Sequence, residues 1–194
     1  PTRVLFGADR ENEAGKQVAA FGGHKVMIIY GKKGGHVESS GLLERVHQNL
    51  NGAGLSYIDF SGVVPNPRLS LVKEGIRIGR SEDVDFLLPI GGGSVIDTAK
   101  GIGYGIANDF EMEDLLYGRV KTDKNLPIGV ILTIAAAGSE MSSSMVLTIE
   151  DGMMKRSYGH DCSRPRFAIM NPELTYSLPA YQTCLLYTSD AADE

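Results

Sequence analysis

Apolar runs and helical periods alternate along this chain, and that alternation limits the fold more than any other feature. Arg3 to Phe6, Lys25 to Tyr30, Ser56 to Phe60, Val84 to Ile90 and Pro127 to Ile134 read as strands. Between them lie helical periods near Glu11 to Phe21, near Leu42 to Leu50, through Leu69, Val72, Ile76 and Gly79, and from Ser94 onward. Strands that are apolar almost throughout have no face to give to water, so helices must cover both sides of the sheet. The pattern predicts an α/β fold, a doubly wound, mostly parallel Rossmann-like sheet, with ligands at the carboxyl ends of its strands. Near the end the pattern changes. Ser144 to Ile149 and Met153 to Tyr158 flank Glu150-Asp-Gly152, which reads as a β-hairpin placed as a flap beside a bound ligand. Pro179 is placed to open a further helix.

The run Pro89-Ile-Gly-Gly-Gly-Ser-Val-Ile-Asp-Thr-Ala-Lys100 joins one of these strands to one of these helices. Gly91, Gly92 and Gly93 let backbone approach a ligand without an intervening Cβ and are expected to reach positive φ. The first amides of the helix carry the positive end of its dipole, a field suited to a diphosphate. Ser94 and Asp97 have capping-box spacing, which predicts Ser94 as the cap and Asp97 in the first turn. The plainer alternative is a tight turn of an α/β fold with no ligand. Lys100 is expected to pack its stem across the helix face.

The second strand ends Tyr30-Gly31-Lys32-Lys33-Gly34-Gly35, with no acid at the position that commonly grips a ribose 2′-hydroxyl. Gly31 gives room and Lys32 gives positive charge for a 2′-phosphate, so the turn favours NADP(H) over NAD(H). A solvated lysine pair is the alternative.

Composition excludes other classes. A net charge of −5 and an isoelectric point near 5.4, without a basic stripe, argue against a nucleic-acid partner. The sequence carries neither a membrane-length apolar run nor a signal-peptide pattern, which makes the cytoplasm the expected compartment. The two cysteines, Cys162 and Cys184, suggest no disulfide framework. His24, His36, His47 and His160 share no ligand spacing, so no metal site is expected from them.

Five segments, in order, resemble the iron-containing (group III) alcohol dehydrogenases, in particular their butanol dehydrogenase and aldehyde reductase branch. They are Pro1 to Gly7, Val64-Pro-Asn-Pro67, Gly91 to Lys100, Leu132 to Glu140 and Pro165 to Thr175. Asn171 stands where that family usually has Asp, and Ala135 to Ala137 replace a more mixed triplet. The resemblance implies cofactor contacts from Gly91, Gly92, Gly93, Ser94 and Asp97. It also implies contacts from Asn66 near the adenosine ribose, from Thr133 and Ser142 along the second glycine loop, and from Lys155 near the nicotinamide ribose. It further implies hydride transfer between NADP(H) and a small alcohol or aldehyde, a homodimer, and a divalent iron or zinc ion held by an Asp and three His beyond position 183 in the full-length parent only.

The resemblance covers residues 1 to 183, the expected dinucleotide-binding domain. Residues 184 to 194 match nothing in the family and read as translated adapter sequence, and the chain starts on Pro1 without an initiator Met. Both point to a fragment of a longer enzyme, inactive without the family's helical metal-binding domain. Two alternatives stay open: a dehydroquinate synthase-like or glycerol-phosphate dehydrogenase relative, and a non-catalytic nucleotide-binding module.

Overall fold

The computed structural model describes residues 1–181, 183 and 184, so that, apart from Cys184, the tail expected at 184–194 lies outside the described residues. The strands are β1 (Arg3–Phe6), β2 (Lys25–Tyr30), β3 (Ser56–Phe60), β4 (Phe86–Gly91), β5 (Gly129–Leu132), β6 (Ser144–Ile149), β7 (Met154–Gly159) and β8 (Phe167–Met170). The helices are α1 (Ala14–Ala20), α2 (His36–Ser39), α3 (Leu42–Gly52), α4 (Leu69–Ser81), α5 (Gly93–Ala107) and α6 (Met112–Leu116). Six strands form one sheet in the order β1-β8-β5-β4-β2-β3, and every pairing in it is parallel.

The continuous apolar runs follow from burial on two sides. In β2, Met27 and Ile29 join a core with α4, α5 and α6, while Val26 and Ile28 join a second core with α1 and α3. All four side chains are fully buried. Each such side chain stabilises the fold by about 1.5–3 kcal/mol relative to exposure. Because α3 covers one face after β2 and α5 covers the other after β4, neighbouring strands β2 and β4 send their chains to opposite sides of the sheet. A crevice opens between their carboxyl ends, the topological switch point.

Glycines set the spacing of α4 against α5. A Cβ on Gly75 would lie 2.4 Å from Ile102 Cδ1, and one on Gly105 would lie 2.0 Å from Ile76 Cδ1. Close helix approach fixes where α5 starts, and therefore where the glycine turn sits.

β6 and β7 form the expected antiparallel hairpin, with Thr148 opposite Lys155. The hairpin is packed rather than free. Met145, Leu147 and Ile149 enter the α4–α5 core, and the Thr148 amide donates to Pro67 O at 2.8 Å. It is therefore a third layer over α5, with its tip tied to the start of α4 by the Ser70 hydroxyl and Glu150.

Strand boundaries differ where side chains intervene. β4 begins at Phe86 rather than Val84, because the Asp85 carboxylate accepts the amides of His24 and Lys25, both at 2.9 Å, and so pins the start of β2 beside it. β5 is shorter than the run Pro127 to Ile134. Pro179 accepts the Thr183 amide at 3.1 Å, the first bond of a helical turn, as its position in the sequence suggests.

Candidate functional site

At the carboxyl ends of β2, β4 and β5 lies a cleft of about 400 Å³. Gly31 and Lys32 form one side, Gly91 and Gly92 the floor, and Thr133 with Ile134 the other side. These elements meet because β4 lies between β2 and β5, and the Thr133 amide donates to Gly91 O at 3.1 Å, locking the two strand ends together.

The glycine turn works by size, not by φ. None of Gly91, Gly92 and Gly93 has positive φ, which corrects the sequence expectation. A Cβ on Gly91 would lie 2.6 Å from Val95 Cγ2, so glycine lets the helix fold back over the strand end. A Cβ on Gly92 would meet only Ile134, at 3.4 Å, on the cleft wall. Gly92 O accepts Val95 N–H at 3.0 Å and Ile96 N–H at 3.1 Å, the first bonds of α5. The amides of Gly93 and Ser94 therefore stand ahead of the ladder, at the positive end of a fifteen-residue helix. Those features fit a dinucleotide's diphosphate.

The capping box does not form. Gly92 is the N-cap of α5, with no side-chain bond there, and Ser94 sits inside the first turn. Asp97 lies one turn further on, where its Oδ2 accepts the Val146 amide of β6 at 3.0 Å. It is a tie between helix and hairpin, and burial raises its carboxyl pKa, opposed by that amide and by Lys100.

Lys100 departs furthest from the sequence reading. Its side chain is fully buried, and Nζ donates to Ser139 O at 2.9 Å and Ser144 O at 2.7 Å. Burial pushes its pKa down to about 8, against the charges of Asp97 and Glu140.

The other expected residues are spread more widely. Gly93 lies beside Ser139, whose Oγ is 3.4 Å from the place a Cβ would take. Ser142 accepts the Ser144 amide through Oγ at 3.0 Å, in the loop before β6. Asn66 is exposed between β3 and α4 at φ +59, and Lys155 is exposed on β7. Gly31, Lys32, Gly91, Gly92 and Thr133 are thus gathered in one cleft, whereas Gly93, Ser94, Asp97, Asn66, Ser142 and Lys155 are not on its lining.

Sequence reasoning missed His36 and Ser177, which lie on the cleft lining and are joined by a 2.9 Å hydrogen bond between His36 Nε2 and Ser177 Oγ. It also missed Leu174 and Leu178 on the same wall, whose four-residue spacing was the available signal. An acid does stand near the end of β2. Glu38 accepts the Tyr30 hydroxyl at 3.0 Å and the Gly34 amide at 2.8 Å, so both of its oxygens are used in bracing the turn. Burial, reinforced by Glu38, pushes the Tyr30 phenol up to about 12. Among the described residues no group of three or more His, Cys, Asp or Glu could hold a metal ion. The ligands that the resemblance implies for iron or zinc lie beyond position 183, outside this set.

A parallel doubly wound sheet with a glycine turn at its switch point defines a large class of α/β proteins. Within that class the chain belongs to the iron-containing alcohol dehydrogenase family, whose model matches residues 1–172. It is 39% identical over 183 residues to the probable NADH-dependent butanol dehydrogenase 2 of Bacillus subtilis (strain 168), covering 94% of this chain and 46% of that protein. It is 34% identical over 186 residues to the NADPH-dependent aldehyde reductase YqhD of Escherichia coli (strain K12), again covering 94% and 46%. The crystal structure of NADH-dependent butanol dehydrogenase A from Thermotoga maritima superposes with a TM-score of 0.92 at 33% identity, over 96% of this chain and 46% of that one. The chain spans about half the length of the curated relatives it matches.

Proposed function

We propose that this chain is the cofactor-binding part of an alcohol dehydrogenase or aldehyde reductase that transfers hydride between NADP(H) and a small alcohol or aldehyde. The observation that carries the reading is the glycine turn at the switch point, where the Gly93 and Ser94 amides precede the α5 ladder beside a cleft of suitable size. In this reading the diphosphate lies over Gly92, with Thr133 on the nicotinamide side. The adenosine ribose lies toward Gly31 and Lys32. Bound nicotinamide supplies the hydride acceptor or donor, and this chain's residues bind and orient it. Asn66, Ser142 and Lys155 belong to the same reading as contacts from outside the present cleft lining, and residues 1–183 form the domain that holds them.

The preference for the 2′-phosphate rests on Lys32 lining the cleft and on Glu38 being spent on Tyr30 and Gly34. The relatives' names divide between NADH, in the more similar ones, and NADPH, so the preference proposed for this chain rests on Lys32 and Glu38 alone. A fluorescence titration with NADPH and NADH tests the reading. Saturable enhancement by NADPH, tighter than by NADH, is the expected result. If neither dinucleotide binds this chain, or an extended protein carrying the family's helical half, the proposal fails. Carbonyl reduction by that extended protein with iron or zinc added tests the activity itself.

A further inference from the structure

We propose that Lys100 is a positioning residue of the dinucleotide site: its ammonium group holds the segment 139–144 against the start of α5 and so fixes what stands beside Gly93 at the edge of the phosphate turn. The proposal deepens the reading of the cleft as a dinucleotide site and rests on it for its functional consequence.

Five contacts define the clamp. Nζ bonds to the carbonyls of Ser139 and Ser144, at either end of the segment that contains Ser142. At its near end Ser139 rests on Gly93, with Oγ 3.4 Å from the position a Cβ would occupy. One turn up α5, Asp97 Oδ2 takes the Val146 amide, while its Oδ1 has no hydrogen-bond partner among the described residues and lies 4.0 Å from Nζ. Helix, loop and hairpin are thus joined at one buried ion pair.

Packing alone does not call for an ammonium at this depth. A Met of similar length would fill the space, and burying an unpaired ammonium costs several kcal/mol, so the charge is retained for what it bonds. Main-chain carbonyls from a loop can be held at a fixed place only by donors, and a buried lysine offers three.

The charged groups around Nζ set when the clamp holds. Asp97 on α5 and Glu140 in the loop keep the proton on, whereas burial and Arg164, from the segment before β8, push it off. Asn125, packed beneath, donates to Lys100 O and carries no charge. The ammonium titrates at about 8, and above that pH the neutral amine has two donors and no attraction to Asp97.

The test uses the 194-residue chain, with hydrogen exchange over residues 139–146 and NADPH titration, each from about pH 7 to about pH 9.5. In the unsubstituted chain, exchange protection corrected for intrinsic rate and NADPH affinity both fall with a midpoint near 8. Lys100→Met loses about tenfold in both and shows no dependence across this range. Glu140→Gln keeps the lysine and moves the midpoint to lower pH, a shift that a purely structural role for Lys100 would not produce. Lys100→Met with unchanged protection and affinity, or Glu140→Gln with an unmoved midpoint, overturns the proposal. If Lys100→Met does not fold, the Glu140→Gln midpoint decides alone. If the unsubstituted chain binds no NADPH, the dinucleotide reading fails by itself, and exchange of the loop still decides whether Lys100 holds it.

Discussion

Asn171 donates through Nδ2 to the carboxylate of Glu11, 2.9 Å away across 160 positions of sequence. Both side chains are buried. Glu11 takes a second bond from Arg45 through Oε1 at 3.3 Å, and Asn171 Oδ1 accepts the Glu173 amide at 3.0 Å. A single amide group therefore donates a hydrogen bond to a buried carboxylate and caps the following turn. An Asp at this position would have the second ability but not the first. The turn matters to the site, since it leads to Leu174, Ser177 and Leu178 on the cleft wall.

Asn171→Asp is expected to destabilise the chain by about 2 kcal/mol near neutral pH, because it sets a carboxylate against the buried carboxylate of Glu11. Urea unfolding measures it. An unchanged midpoint would show that Glu11 does not depend on the amide.

Gly92→Ala separates binding from folding. Its Cβ would touch only Ile134, at ordinary van der Waals distance, so the melting temperature should move by no more than about 2–4 °C. NADPH affinity should fall by about tenfold or more, because a methyl group would stand on the floor of the cleft. Gly91→Ala, whose Cβ would lie 2.6 Å from Val95, should lose stability as well. Equal NADPH affinity in Gly92→Ala and the unsubstituted chain would remove the diphosphate from this turn.

Most of the sheet was legible because its central strands are buried on both faces. β2 falls on the expected residues, since a run such as Lys25 to Tyr30 has no other way to hide its apolar groups, and the edge strand β3 also falls on its expected residues although only Phe60 of it is buried. Legibility ended where short elements lack a period of their own. α2, only His36–Ser39, and α6, only Met112–Leu116, leave too few turns to show one. At the site, five residues of the expected set share the cleft because sequence punctuation marks strand ends. Asp97 and Lys100 were misread for a different reason. Their partners, Val146, Ser139 and Ser144, lie about forty or more positions downstream on a hairpin and loop that fold back over α5, and local spacing holds no trace of that contact.

Lys32→Ala is expected to weaken NADPH by about 1 kcal/mol, about fivefold, and to leave NADH unchanged. Only the 2′-phosphate distinguishes the two ligands, so the ratio of their dissociation constants isolates the contact. The effect should shrink as salt rises, because the lysine is exposed. Equal losses for both dinucleotides would place Lys32 beside the diphosphate instead and withdraw the argument for NADP(H).

Lys100 makes stability and site order respond to pH in opposite directions. Its pKa is about 8 in the folded chain against an ordinary 10.5, so between those values the unfolded chain binds the extra proton. Unfolding free energy therefore rises with pH through that window, by up to about 3 kcal/mol from this group. Above 10 the buried tyrosines oppose it. Tyr30, raised from 10.0 to about 12, and Tyr104, also raised by burial, stay protonated when their unfolded counterparts ionise, so stability falls as pH climbs further. Urea unfolding of the unsubstituted chain and of Lys100→Met at about pH 7.5, 9 and 10 should give a difference that increasingly favours the lysine as pH rises. Over the same interval the 139–146 amides should lose protection. A chain that became more stable while its loop stayed equally protected would mean that the carbonyls of Ser139 and Ser144 are held as well by an amine as by an ammonium, and the charge on Lys100 would then have no part in shaping the cleft.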